Sequence, residues 1–187
     1  VVDLSNVNVG SNYALIITTN SGLWRYRIGD TIRFYSVNPY KIKISGRTKH
    51  FINAFGEELI IENADTAMEL ACKKHKAPFY NYTAGPVYIS GNKKGRHEWF
   101  IEFLSPPKNL KDFAYSLDTE LKNLNSDYEA KRYKDLALEI PLIKILHSGT
   151  FDKWLKKKNM LGGQNKIPRL SNNRKYLDDI LKITSNV

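Results

Sequence analysis

Trp24–Phe34, WRYRIGDTIRF, and Ile44–Asp65, ISGRTKHFINAFGEELIIENAD, decide how this chain is read. The first reads as strand, tight turn and strand, with Gly29 supplying the permissive backbone and Asp30 the local hydrogen bonds. The second has a basic residue at the Gly46-Arg47 corner, then an apolar stretch ending at Gly56 and the carboxylates Glu57 and Glu58. Only the connector Tyr35 to Lys43 separates them. On residue types alone, Gly29-Asp30 is either a plain hairpin turn or a carboxylate fixed at a strand end. The latter can accept hydrogen bonds from two adjacent hydroxyls, as in ribose recognition.

Working outward, "YALIITT", "GLWRYRI", "TIRFYSV" and "YKIKIS" are short β-rich runs broken by "NSG", "GD" and "NP", all turn signals. They predict an antiparallel meander. Ala64, Ala67, Met68 and Ala71 recur at helical spacing and predict a helix opened by Asn63 and ended near Pro78. "YNYTAGPVYIS" and "HEWFIEFLS" predict two strands joined by the basic turn "GNKKGR". Leu110, Phe113, Ala114, Leu117, Leu121 and Leu124 share one face of a second helix capped by Asn109. A more polar helix is expected around Asp127 to Leu136, then a strand "PLIKILHSG", a helix "TFDKWLKKKNM", a loop "LGGQNKIPRL", and a last helix "RKYLDDILKI" capped by Asn172 or Asn173. The expected class is α+β: a short antiparallel meander over 1–43, then a small mixed α/β domain over 44–187 with helices packed on a sheet.

At 187 residues and 42% hydrophobic content the chain can bury a core. Its net charge of +10 fits anionic ligands or nucleic acid. From Phe151 onward nine basic residues face three acidic ones, so six of those ten charges sit at the carboxyl end, around a loop that holds Lys166. A lysine beside glycines suits a phosphate, because its compact charge rides on a flexible stem. A single cysteine, Cys72, excludes an internal disulfide, and His50, His75, His97 and His147 lack metal-type spacing. The longest apolar run, near Ala14 to Ile17, is strand-length, so no membrane span is expected, and the setting expected is cytoplasmic. "VVDLSNVNVG" begins without Met or a signal peptide, and reads as the start of a fragment.

Other chemistry is poorly supported. Glu57 and Glu58, adjacent on an expected strand, point to opposite faces and do not converge. His147-Ser148 has no acid partner nearby in sequence. Cys72 falls beside an apolar helix face, and Trp24, Trp99 and Trp154 read as core or domain-contact residues.

The order Tyr-x-x-Gly-Asp, connector, Gly-Arg-x-Lys resembles the adenylate-forming superfamily. "YRIGD", "GRTKHFINAFGEEL" and "GTFDKW…NKIPRL" resemble, over essentially the whole chain, the bacterial branch of the auxin-responsive Gretchen Hagen family of acyl-acid amido synthetases. That resemblance implies roles. Asp30 would hold the ribose hydroxyls of ATP, with Tyr26 as the opening aromatic; Arg47 would contact the nucleotide near a hinge, where Thr48 and Lys49 pivot. Lys166 would reach the α-phosphate and the acid's carboxylate during adenylation. ATP with Mg would be the cofactor, bound mainly by a large amino-terminal domain whose phosphate-gripping loop has no counterpart here. A carboxylic acid and an amino acid would be the substrates, and the fragment alone would be inactive. The rival is a basic nucleic-acid-binding module, supported by the charge and the Lys156-Lys157-Lys158 run but by no helix-turn-helix, zinc or RNA-recognition signature. A non-catalytic interaction domain is the third reading.

Overall fold

Gly29 and Asp30 do not turn the chain. In the computed structural model, which describes residues 1–48, 51–88, 94–135, 138–160 and 166–184, they lie inside one long strand. Strands β1 (Asn12–Ile17), β2 (Tyr26–Val37) and β3 (Tyr40–Arg47) form an antiparallel sheet in that order. Between Ala14↔Thr31 and Ile16↔Arg27, two steps along β1 match four along β2. The surplus forms a bulge, which Gly29 accommodates with φ +90. A Gly-Asp pair signals a turn only when nothing pairs on either side. Here β1 and β3 both hold β2, and the local preference is spent on a bend rather than a reversal.

The second unit begins with a small hairpin, β4 (Phe51–Ile52) and β5 (Leu59–Ile60), which leads into α1 (Ile61–His75). Asn63 does not cap α1; the cap position is Ile60, and the Asn63 amide instead donates to the Leu124 carbonyl at 3.1 Å. Lys76 closes the helix in the left-handed conformation two residues before Pro78. Strands β6 (Phe79–Val87), β7 (Arg96–Phe103) and β8 (Leu142–Leu146) make a mixed sheet, antiparallel at β6-β7 and parallel at β7-β8. Helices α2 (Leu110–Leu124) and α3 (Ser126–Arg132) lie between β7 and β8 in sequence; α4 (Thr150–Lys157) and α5 (Lys175–Thr184) follow β8. As expected, Asn109 caps α2, accepting from Lys111 N at 2.9 Å and Asp112 N at 3.2 Å. Asn173 accepts from Lys175 N at 3.0 Å, while Asn172 bonds elsewhere.

The central strand β7 explains the layering. Side chains alternate across a strand, and both faces of β7 are buried. Trp99 and Ile101 join Met68, Phe113, Leu117 and Leu121 of α1 and α2 in one core. Phe100 joins Leu146, Phe151, Trp154, Leu177 and Ile180 in the other, against α4 and α5. Full burial of Phe100 contributes about 2–3 kcal/mol. On its side, Glu102 is buried and both its oxygens serve the start of α4, accepting from Gly149 N at 2.5 Å and Phe151 N at 3.2 Å. Cys72 is buried, as expected. Trp99 and Trp154 are core residues, but Trp24 is 80% exposed.

Asp118 on α2 is buried and accepts from Tyr128 Oη at 2.8 Å and from Arg132 Nε at 2.5 Å and Nη2 at 3.0 Å, with Lys122 Nζ at 2.8 Å. Burial alone would raise its pKa, but the hydrogen bonds from Arg132, Lys122 and Tyr128 and the Arg132 charge outweigh it and hold the carboxyl below its ordinary value. A depressed folded pKa means that this stability is present above the unfolded value of about 3.9 and is lost as pH falls through the folded one. In urea titrations from pH 6 to pH 2, Asp118→Asn should lose about 3–5 kcal/mol at pH 6. The difference from wild type should shrink below about pH 4; a pH-independent difference would refute the assignment.

Candidate functional site

The β2-β3 ladder brings the two sequence blocks together. Asp30 stands opposite Arg47, and Thr31 opposite Gly46, so residues seventeen apart in sequence become neighbours at the Cα spacing of an antiparallel pair, about 5 Å. Thr48 locks this corner: its N–H donates to the Gly29 carbonyl at 2.8 Å and its hydroxyl to the same oxygen at 3.2 Å. The bulged carbonyl of Gly29 is thus tied to the residue that follows Arg47. Asp30 is half-buried and Tyr26, at the start of β2, is 50% exposed. The backbone of Arg47 is described but its side chain is not, and Lys49 lies outside the described residues.

Past the corner, the hairpin loop carries Glu57, read from sequence as a strand residue. It sits instead between β4 and β5, with Gly56 at φ +85 before it and Glu58 at φ +39 after it. Glu57 is fully buried: one carboxylate oxygen bonds His97 Nε2 at 2.7 Å and the other accepts from Phe55 N at 2.7 Å. Burial would raise the Glu57 pKa, yet the hydrogen bond and charge of His97 prevail and lower it. Glu57 is a structural anchor, as expected, and Glu58 does not converge with it. The Glu57–His97 pair was invisible in the sequence because forty residues separate its members. His147 and Ser148 are exposed ahead of α4.

Lys166 is carried by a different element. It is exposed and opens a segment that runs along the edge of β6, where Leu170 bridges Ala84 in parallel sense. Gly162 and Gly163 lie outside the described residues. The structure therefore joins Asp30 and Arg47 on one ladder and places Lys166 on the second unit. Among the described residues no group of three or more His, Cys, Asp or Glu side chains could hold a metal, and no helix is long and apolar enough to cross a membrane.

The pattern described as the GH3 family C-terminal domain matches residues 62–175, more than half of the chain. The chain belongs to the GH3 family. The GH3 family central domain matches residues 1–47. Tyr26, Asp30 and Arg47 fall in that match and Lys166 in the other. The chain is 30% identical over 185 residues to indole-3-acetic acid-amido synthetase GH3.5 of Arabidopsis thaliana, covering 90% of this chain and 29% of that protein. It is 28% identical over 183 residues to GH3.6 of the same plant, covering 90% and 29%. The solved structure of GH3.15 acyl acid amido synthetase superposes with a TM-score of 0.72 at 24% identity, covering 97% of this chain and 35% of that one, which establishes a shared fold. This GH3 chain thus spans about a third of the length of its relatives, and its mixed α/β architecture is theirs.

Gly95 tests how tightly the corner loop of this GH3 chain is seated. A Cβ there would meet Phe55 Cε1 at 2.3 Å. Gly95→Ala should displace Phe55 and with it the Glu57 loop, lowering stability by about 1–3 kcal/mol. A thermal melt unchanged from wild type would show that the loop is not held there.

Proposed function

We propose that this chain is the carboxyl-terminal part of an ATP-dependent acyl-acid amido synthetase of the family's bacterial branch, operating in the cytoplasm. The Asp30↔Arg47 register pair carries the reading, because it gathers a carboxylate and a guanidinium-bearing residue at one bulged corner. Residues 1–43 would be the last meander of a large adenylating domain and 44–187 the small mobile one. Ile42 and Ile44 on β3 are 48% and 67% exposed, and exposed apolar side chains on this strand suit contact with a neighbouring domain.

The overall reaction has two halves. A carboxylate oxygen attacks the α-phosphorus of ATP, pyrophosphate leaves, and an acyl-adenylate forms; an amine, in our reading an amino acid's, then attacks the acyl carbon and AMP leaves with the phosphate oxygen. Asp30 would accept hydrogen bonds from the ribose hydroxyls; Tyr26 would flank the nucleotide and Arg47 would meet it from the pivot formed by Thr48 and Lys49. The Lys166 ammonium would neutralise charge developing at phosphorus. Mg would travel with the phosphates, held mainly by the large domain. The nucleic-acid reading is weaker, since Lys158 of the basic run is paired with Asp179 at 2.6 Å.

The test is acid-dependent ATP–pyrophosphate exchange by the full-length protein with a panel of aryl and alkyl acids. Asp30→Ala and Lys166→Ala should each cut exchange about a hundredfold or more. Lys166→Ala should spare amide formation from a supplied acyl-adenylate. Equal loss of both half-reactions would refute the Lys166 role, and exchange untouched by either substitution would refute the site.

A further inference from the structure

Among the described residues no hydrogen bond or ion pair holds the Lys166 ammonium, so its reach is set by the backbone that bears it. That backbone is clamped downstream. Thr83, fully buried on β6, donates its hydroxyl to the Pro168 carbonyl at 2.7 Å. Ala84 N donates to the Arg169 carbonyl at 2.8 Å, and Ser171 N donates back to the Ala84 carbonyl at 3.0 Å. Ile167 and Leu170 are buried, one in each core. Farther on, Asn172 accepts from Asn53 N at 2.8 Å, which ties the segment to the β4–β5 hairpin.

Arg169 adds a side-chain contact to these backbone bonds. Its guanidinium pairs with Asp65 of α1 and lies over the Tyr82 ring, 5.3 Å from the centroid, while the Tyr82 hydroxyl donates to the same carboxylate. Arg169 and Asp65 are 38% and 28% exposed, and pairs at such exposure contribute roughly 0–1 kcal/mol. What a planar guanidinium caught between a carboxylate and a ring does supply is one fixed orientation. Three residues from Lys166, at most about 10 Å of chain, that orientation fixes where the segment leaves the sheet. Committed to Asp65 and Tyr82, the guanidinium is not available to the substrate.

We infer that Arg169, held by Asp65 and Tyr82, is a positioning residue that sets the location of the Lys166 ammonium for adenylation; this rests on the reading of Lys166 given above. Small displacements of a reacting group cost about ten- to a hundredfold in rate.

The experiment uses the full-length protein and compares Arg169→Met, Asp65→Asn and Arg169→Lys, each alone and with Lys166→Ala. It reads ATP–pyrophosphate exchange, thermal midpoint and amide hydrogen exchange at Ser171. Arg169→Met and Asp65→Asn should each lower kcat about tenfold with KM for ATP within about twofold, a near-native midpoint and faster Ser171 exchange. Arg169→Lys should recover part of the rate. Combined with Lys166→Ala, neither should cause further loss, because both act through that ammonium. A full additional loss on top of Lys166→Ala, or an unchanged kcat beside a crippled Lys166→Ala, overturns the positioning role alone. Should Arg169→Met fail to fold, the near-isosteric Asp65→Asn decides by the same criteria. An inert Lys166→Ala instead removes the adenylation reading, and this inference with it.

Discussion

The register of β2 against β3 is the constraint on which the rest of the site depends. The β2-β3 ladder shifts between Thr31 and Ile32, where Ser45 is the extra residue on β3, so that Gly46 faces Thr31 and Arg47 faces Asp30, and Thr48 holds the end of the ladder by bonding the Gly29 carbonyl twice. A one-residue slip would send every side chain on β2 to the opposite face. It would also part the two sequence blocks that meet at this corner. The ion pair of Lys43 with Glu62 then links the same ladder to the start of α1, so the meander and the second unit share this edge.

The second unit is organised by a different constraint, the two-sided burial of β7. With Trp99 and Ile101 facing α1 and α2 and Phe100 facing α4 and α5, the strand must be central. The polar residues on its faces must then find partners. Glu98 bonds Arg174 at 2.8 Å and Glu102 caps α4. Both contacts hold elements that flank the segment bearing Lys166. A segment tied along β6 by backbone bonds, with Ile167 and Leu170 buried in opposite cores, displays an exposed lysine from a rigid base.

Much of this was legible from sequence. The 3.6-residue spacing of Phe113, Ala114, Leu117 and Leu121 and the cap at Asn109 placed α2 correctly, because both signals are local. The β-rich runs broken by turn signals predict an antiparallel meander, and β1, β2 and β3 form one. Where local signals mislead, the cause is tertiary: Gly29-Asp30 has turn chemistry, but pairing on both sides makes it a bulge. Asn63 has cap chemistry, but it serves the end of α2 instead, and the helix starts at Ile61. The clusters Glu57–His97, Asp118–Arg132 and Asp65–Tyr82–Arg169 join positions from fourteen to more than a hundred residues apart. No pattern in the chain announces such pairs. The family blocks pointed to Asp30, Arg47 and Lys166, and the fold shows how the first two become neighbours.

On the proposed function, the bulged Asp30–Arg47 corner receives a nucleotide. Amide hydrogen exchange of the full-length protein with and without AMP tests it directly, since a bound ribose at this corner must slow exchange in the backbone that frames it. Exchange should slow over residues 26–31 and 46–48, and the slowing should be lost in Asp30→Ala while the rest of the protein exchanges as before. Nucleotide binding that protects other segments and leaves both stretches unchanged would contradict it.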